Sequence, residues 1–424
     1  MERESLLTLD IEKPAVGGRM LARHDRRVVL VWGAIPGERV TARVEREQKG
    51  VVYAETVDVL SCAADRRDAP ADWRCGGNVY AHIAYPRQLQ LKSEIIRDAF
   101  VRIGRIPLVV APEVIGSTES GYRMRARLHV RHRRIGFFRE GSHDVCDPAS
   151  TAQLLPETVA WLHTAAQRLT DVLDAVTDVE LAENVPATER VCHFELRGAC
   201  DPRAFLAAFS GLTGLTASRP QTAHVDRLAG IPTLTDLVLV SGGSTAVALR
   251  LRHNVRAFFQ ANRYLLERLV RHVVSLVPDG PVVDLYAGVG LFGLSLAAER
   301  MTRASLVEGD PISGGDLEEN ATPFRAHTRV HRCGVEAFLR TVDVDRTATF
   351  IVDPPRTGLS RDATRRIVDL APPMIVYISC DPATLARDAR AFVDAGWELN
   401  GVTGFDLFPN TAHVESVAVM SRTN

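Results

Sequence analysis

The chain has 424 residues, 46% hydrophobic and 24% charged, a balance ordinary for globular protein and long enough for roughly two to three domains. Its 51 basic and 52 acidic residues leave a formal net charge of −1, which announces neither a globally basic nucleic-acid binder nor an acidic disordered chain. Seven cysteines argue against a disulfide framework and fit a reducing compartment. No apolar run approaches the ~20 residues needed to span a bilayer. The start, MERESLLTLDIEKP, carries acids and no apolar signal core, so a cytoplasmic protein is expected. Lysine stands only at Lys13, Lys49 and Lys92, so arginine supplies nearly every cation and an isolated arginine carries little information.

Residues 1–61 read as a small β-barrel. Val28–Gly33, Glu38–Glu47 and Gly50–Leu60 are short apolar or alternating runs, separated by turn signals at Gly17-Gly18, Pro36-Gly37 and Lys49-Gly50. Residues 62–253 form a mixed central region. It opens on a loop-like stretch, then a helical pattern from about Pro86 to Ile103 and another from Leu154 to Val176. Between them, GYRMRARLHVRHRRIGFF (121–138) places Arg123, Arg125 and Arg127 at period two. On a strand they would line one face and offer a stripe to a phosphate backbone. The bland alternative is an exposed face in an arginine-rich chain.

Residues 254–424 alternate strand and helix, the signature of a doubly wound α/β domain with ligands at the carboxyl ends of its strands. PVVDLYAGVG, ASLVEGD, TATFIVDPP and MIVYISCDP are apolar runs that end in polar residues. Gly288-Val-Gly290-Leu-Phe-Gly293 lies between a strand and a helix and matches G-x-G-x-x-G, which alone is a weak dinucleotide signal. Asp284, four residues before Gly288, suits a ligand ammonium better than a pyrophosphate. Glu308 is placed to chelate two ribose hydroxyls. S-adenosylmethionine (SAM) has both groups and no phosphate, so it is preferred, with NAD the alternative. Cys380 follows an apolar strand, Asp353-Pro-Pro-Arg356 closes its neighbour, and His413 and Glu415 precede the last apolar run. A thiol, a carboxylate and SAM together fit methylation of uracil C5. A thiolate adds at C6 and makes C5 nucleophilic, and a base then removes the C5 proton. The uracil must leave its stack to be reached.

These blocks resemble the TrmA/RumA-type RNA (uracil-5-)-methyltransferases, in the branch with an N-terminal TRAM domain. The likeness runs through FFQANRYLLERLV, DLYAGVGLFGLSLA, DPPR, SCDPATLARD and HVESV, in that order. It implies an α/β fold with three parts: an OB-like TRAM barrel over 1–61, an α+β RNA-contacting domain over 62–253, and a Rossmann-like class I SAM methyltransferase domain over 254–424. It implies Cys380 as nucleophile and Glu415 as base. Gln260, Asp284, Tyr286, Gly288, Gly290, Glu308 and Asp353 would hold SAM, and Arg123, Arg125 and Arg127 would meet RNA. Ribosomal RNA is favoured over transfer RNA, and a monomer without a membrane partner is expected. Many such members hold an iron–sulfur cluster on four cysteines. Here Ala69 and Asn78 replace two of them and only Cys75 and Cys146 remain, so no cluster is expected and the metal set is empty. Leu291 replaces a polar residue and Arg332–Val335 lacks an aspartate, departures that bear on cofactor affinity. The altered positions leave a catalytically inactive RNA-binding protein as a further alternative.

Overall fold

The computed structural model describes residues 4–15, 17–197, 200–219, 225–241 and 246–422. The first strands close into a barrel in the order Leu6–Pro14, Met20–His24, Arg27–Trp32, Val51–Ser61, Arg39–Gln48 and back to Leu6–Pro14. Alternation explains the closure. Leu9, Ile11, Val29, Val31, Val40, Ala42, Val44, Val52 and Ala54 point inward and are buried, while their neighbours face solvent. Two further strands, Leu6–Pro14 and Met20–His24, flank the Gly17-Gly18 turn. A buried carboxylate ties the barrel to the central region: Glu38 accepts from Arg66 Nε at 2.6 Å and Nη2 at 2.7 Å.

The central region is built on a seven-stranded sheet in the order Val225–Gly230, Gly214–Ser218, Arg190–Leu196, Val176–Glu183, Arg125–Arg131, Arg134–Phe138, Val145–Cys146. The helix Pro156–Arg168 covers one face through Leu162 and Ala165. The expected helix from Leu154 to Val176 is therefore too long. It stops at Arg168, a single turn spans Leu173–Ala175, and Val176 opens a strand. That strand pairs with Arg125–Arg131, a distant partner that the apolar spacing of a helical pattern cannot reveal.

The C-terminal unit holds an eight-stranded sheet in the order Thr328–His331, Ala304–Val307, Val282–Leu285, Thr349–Val352, Met374–Ser379, Glu415–Arg422, Trp397–Phe405, Val114–Ile115. The first five strands run parallel, and Glu415–Arg422 is inserted antiparallel between Met374–Ser379 and Trp397–Phe405. Helices cover both faces, as the near-continuous burial of these strands requires. Two segments from before Asn254 pack into this unit. Val114–Ile115 adds an edge strand beside Phe405, and the ribbon Thr233–Leu239 with Ala248–Asn254 puts Val238, Leu249 and Leu251 into the same core.

One buried ion pair joins the helix Tyr85–Ala99 to the chain just before the last strand. Lys92, fully buried, donates to Asp406 and, at 3.1 Å, to the Phe408 carbonyl. Removing one partner leaves a buried charge without compensation. Lys92→Met should lower unfolding free energy by about 3–5 kcal/mol in a denaturant titration. Lys92→Met with Asp406→Leu should recover most of that loss; no recovery would mean the site depends on the lysine for something other than pairing.

Candidate active site

Parallel strands deliver their next residues to one edge. Tyr286 follows Leu285, Glu308 follows Val307, Asp353 follows Val352 and Cys380 follows Ser379. The antiparallel strand brings a fifth residue there from the opposite direction. Its register pairs Ser416 with Ser379, so Glu415 leaves the sheet beside Cys380.

These residues border a cavity of about 540 Å³, lined also by Gln260, Gly288, Leu291, Asp310, Ser313 and Arg356. A second cavity of about 710 Å³ meets it. Phe258, Phe259, Gln260, Arg356, Cys380 and Glu415 line both. The second is walled by the Gly76-Gly77 loop, Arg123, Phe137, Phe138, Arg139 and His413, and reaches Gly17 of the barrel.

The glycine loop has the conformations its residues suggest. Gly288 and Gly290 have φ of +58° and +99°, and a Cβ at Gly290 would come within 2.4 Å of Leu294 Cδ1. Tyr286 takes φ +62° without being glycine, a strained backbone of the kind held in place at ligand sites. Glu308 ties the loop together: Oε2 accepts from Gly288 N at 2.8 Å and Oε1 from Asp310 N at 2.6 Å.

Carboxyl groups dominate the electrostatics. Burial raises Glu415 to about 8 and Asp284 to about 7. Asp353 is held well above the usual carboxylate range by burial and by the charges of Glu415, Asp284 and Glu308. Glu308 is also raised, chiefly by burial. Four acids whose charge is suppressed make a site that gains from a cationic ligand. The same field opposes a pyrophosphate, which weighs against the NAD alternative. Burial, with the charge of Glu415, pushes the Cys380 thiol up to about 11, and Arg356 pulls the other way.

Several expected residues stand elsewhere than the sequence pattern suggests. Asp284 does not line the cavity. It is fully buried, and its Oδ2 accepts from Gly293 N at 2.8 Å, so its direct role is to fix the start of the following helix. The arginine stripe is also corrected. Arg125 turns inward, donating to the Ala257 carbonyl at 2.6 Å and to His253 Nδ1 at 3.1 Å. Its work is to hold the chain leading to Phe258 and Gln260. Arg127 remains half-exposed but faces Asp178, Glu180 and Glu195, with Glu195 at 2.9 Å. Of the three, Arg123 alone reaches a cavity, bound to Gln153 at 2.7 Å and lying over the Phe137 and Phe408 rings. Asp310 and Ser313 are lining residues that motif reading passes over, and Phe258 and Arg356 line the cavity from within quoted motifs that give them no role. The Asp310-Pro311 pair that caps a helix straight after a strand is the available signal for the first two.

Of the four positions that the resemblance gives to cluster ligands, Cys75 and Cys146 carry sulfur and Ala69 and Asn78 do not. Cys75 and Cys146 are joined as a disulfide, a single cross-link where no disulfide framework was expected. Asn78 donates its side-chain amide to the Thr151 carbonyl at 3.0 Å. Among the described residues no group of three or more His, Cys, Asp or Glu could hold a metal.

Comparison with known proteins bears on the whole chain. The family profile described as tRNA (Uracil-5-)-methyltransferase matches residues 324–423, and that of the TRAM domain matches residues 3–57. The chain is similar to a 23S rRNA (uracil(1939)-C(5))-methyltransferase RlmD of Halomonas elongata, with 31% identity covering 97% of this chain and 89% of the relative. A protein of the same name from Alkalilimnicola ehrlichii is 32% identical, covering 96% and 94%. In fold it resembles a tRNA (uracil-54, C5)-methyltransferase of Pyrococcus abyssi, solved with S-adenosyl-L-homocysteine, at a TM-score of 0.73 and 23% identity over 98% of this chain and 100% of that one. No helix among the described residues is long and apolar enough to cross a membrane. With a closed TRAM barrel, a SAM methyltransferase sheet and near-full-length identity above thirty per cent, the chain belongs to the RNA (uracil-5-)-methyltransferase family.

Proposed function

We propose that this protein methylates C5 of a uridine in RNA, with 23S ribosomal RNA as the substrate class, using Cys380 as nucleophile and Glu415 as base. The observation that carries this reading is the meeting of two cavities at Cys380 and Glu415. One cavity is acidic and lies at the glycine loop; the other opens between the barrel and the central sheet. Ribosomal RNA is preferred because the relatives at 31% and 32% identity are named for it.

SAM, when bound in the first cavity, supplies an electrophilic methyl on a positively charged sulfur. Gln260, Tyr286, Gly288, Glu308 and Asp353 line that space, Gly290 shapes the loop behind it without lining it, and Asp284 adds negative field from beneath. The uracil enters from the second cavity. The Cys380 proton is lost to solvent and the sulfur bonds to C6, and the C5=C6 electron pair moves to form an enolate. C5 takes the methyl. Glu415, as carboxylate, accepts the C5 proton; the electron pair re-forms C5=C6 and expels the thiolate. Burial makes Glu415 a stronger base than a surface glutamate.

Two outcomes are expected. RNA carrying 5-fluorouridine at the target has no C5 proton to lose, so it should trap a covalent adduct on Cys380, located by peptide mass spectrometry. Cys380→Ala should form none. Glu415→Gln should accumulate adduct even on ordinary uridine RNA, with turnover down on the order of 10²–10⁴-fold. Adduct on another residue would remove Cys380 from the mechanism.

The second concerns protons. Asp284 near 7 and Glu415 near 8 are partly or mainly protonated at neutral pH without ligand. A cation beside them favours the charged form, so SAM binding at pH 7 should release protons. S-adenosylhomocysteine lacks the sulfonium charge and should release fewer. Calorimetric titration in buffers of different ionisation enthalpy reads the number directly; equal release by both ligands would sink the electrostatic account.

A further inference from the structure

Arg356 leaves the sheet edge behind two prolines and lines both cavities with Cys380 and Glu415. The charged groups acting on the thiol are Glu415, Asp353 and Asp381, which oppose its ionisation, and Arg356, which favours it. A long exposed arginine has rotamer freedom that would carry its charge into water. One contact opposes that freedom. Arg356 Nη2 donates to His413 Nδ1 at 2.9 Å, across 57 residues of sequence.

The histidine is itself held. Its backbone N donates to Thr411 Oγ1 at 3.1 Å, and Thr411 Oγ1 donates to the Phe408 carbonyl at 2.7 Å. Its ring meets Phe408 edge-on at a centroid distance of 6.3 Å. Burial and the Arg356 charge lower His413 to about 4, so near neutral pH the ring is uncharged and Nδ1 keeps a lone pair to accept with.

We propose that His413 is a positioning residue: it holds the Arg356 guanidinium at the mouth shared by the two cavities, where that charge faces the Cys380 sulfur instead of solvent. The inference rests on Cys380 being the nucleophile. It adds to the mechanism the source of the positive charge that a buried thiol among carboxylates requires.

The test is Cys380 alkylation by iodoacetamide as a function of pH, read on its own peptide by mass spectrometry in the full-length protein. Alkylation reports thiolate whether or not methyl transfer occurs. His413→Leu should move the alkylation midpoint up by about one pH unit, roughly tenfold slower reaction near pH 8. His413→Asn, whose side-chain oxygen can accept in place of Nδ1, should restore the rate to within about threefold. Arg356→Leu should match His413→Leu, and the double variant should be no slower than Arg356→Leu alone. In His413→Leu turnover should fall in parallel while KM for SAM stays unchanged, since His413 lines only the second cavity. An unshifted profile in His413→Leu overturns the proposal, as does an equal loss in His413→Asn or multiplicative losses in the double variant. Absence of the 5-fluorouridine adduct on Cys380 in the unaltered protein would instead strike the nucleophile assignment, so the two failures are distinguishable.

Discussion

The site depends on one register. The strand Glu415–Arg422 runs antiparallel between two neighbours, pairing Ser416 with Ser379 on one side and Glu415 with Phe405 on the other. Side chains in a strand alternate, so a slip of one residue would send Glu415 to the opposite face and away from Cys380. The register is held by burial: Ile375, Val376, Tyr377 and Ile378 on one strand and Val417, Ala418 and Met420 on the other are almost wholly inaccessible. The hydrophobic interior thus fixes the placement of two reactive groups. The parallel strands do the same for the cofactor side, where Tyr286, Glu308 and Asp353 each take the first position past a strand end.

Bringing these groups together works against the stability of the unliganded protein. Asp284, Glu308, Asp353 and Glu415 are acids removed from water with few compensating cations nearby, and each is raised above its ordinary range. Groups raised on folding contribute stability at low pH that is lost as pH passes through their folded values, here around 7 to 8 for Asp284 and Glu415. A bound cation offsets that loss. The same cavity that is uncomfortable empty is therefore complementary to a sulfonium, and the discomfort is located where the charge of the ligand disappears on methyl transfer. The strained Tyr286 backbone belongs to the same pattern, since its φ of +62° persists only where the surroundings over-determine it.

Much of this is legible in the sequence because strand ends and loops carry chemical residues in local patterns. Gly288, Gly290, Glu308, Asp353, Cys380 and Glu415 each close, follow or precede an apolar run; the parallel strands put all but Glu415 at one sheet edge, and the antiparallel insertion brings Glu415 to it. The illegible part depends on what covers a face. The period-two arginines imply a shared strand face, but a pattern does not say what stands opposite. Val176–Glu183 supplies Asp178 and Glu180 beside Arg127, and Arg125 finds carbonyls of the connecting chain. Asp284 sits four residues before a glycine, as a ligand-binding acid would, yet its pleat turns the carboxylate toward Gly293. The helix expected to run to Val176 fails for a related reason, because its last apolar residues belong to a sheet built from distant strands. Arg356 and His413 share no local motif, and only the sheet insertion brings them into contact.

The pairing of arginines with acids also changes what near-zero net charge means for RNA binding. Arg127, Arg133 and Arg139 all have carboxylate partners, so the central sheet is not a bare basic track. Paired cations at a surface contribute little to long-range attraction, because neighbouring charges cancel beyond a Debye length of roughly 8–10 Å. Arg123 is different. It is fixed between Gln153 and two aromatic rings at the wall of the second cavity. Barrel, central sheet and catalytic sheet all contribute residues to that cavity. The three parts of the chain are thereby coupled at one place, the cavity that opens onto the sulfur of Cys380.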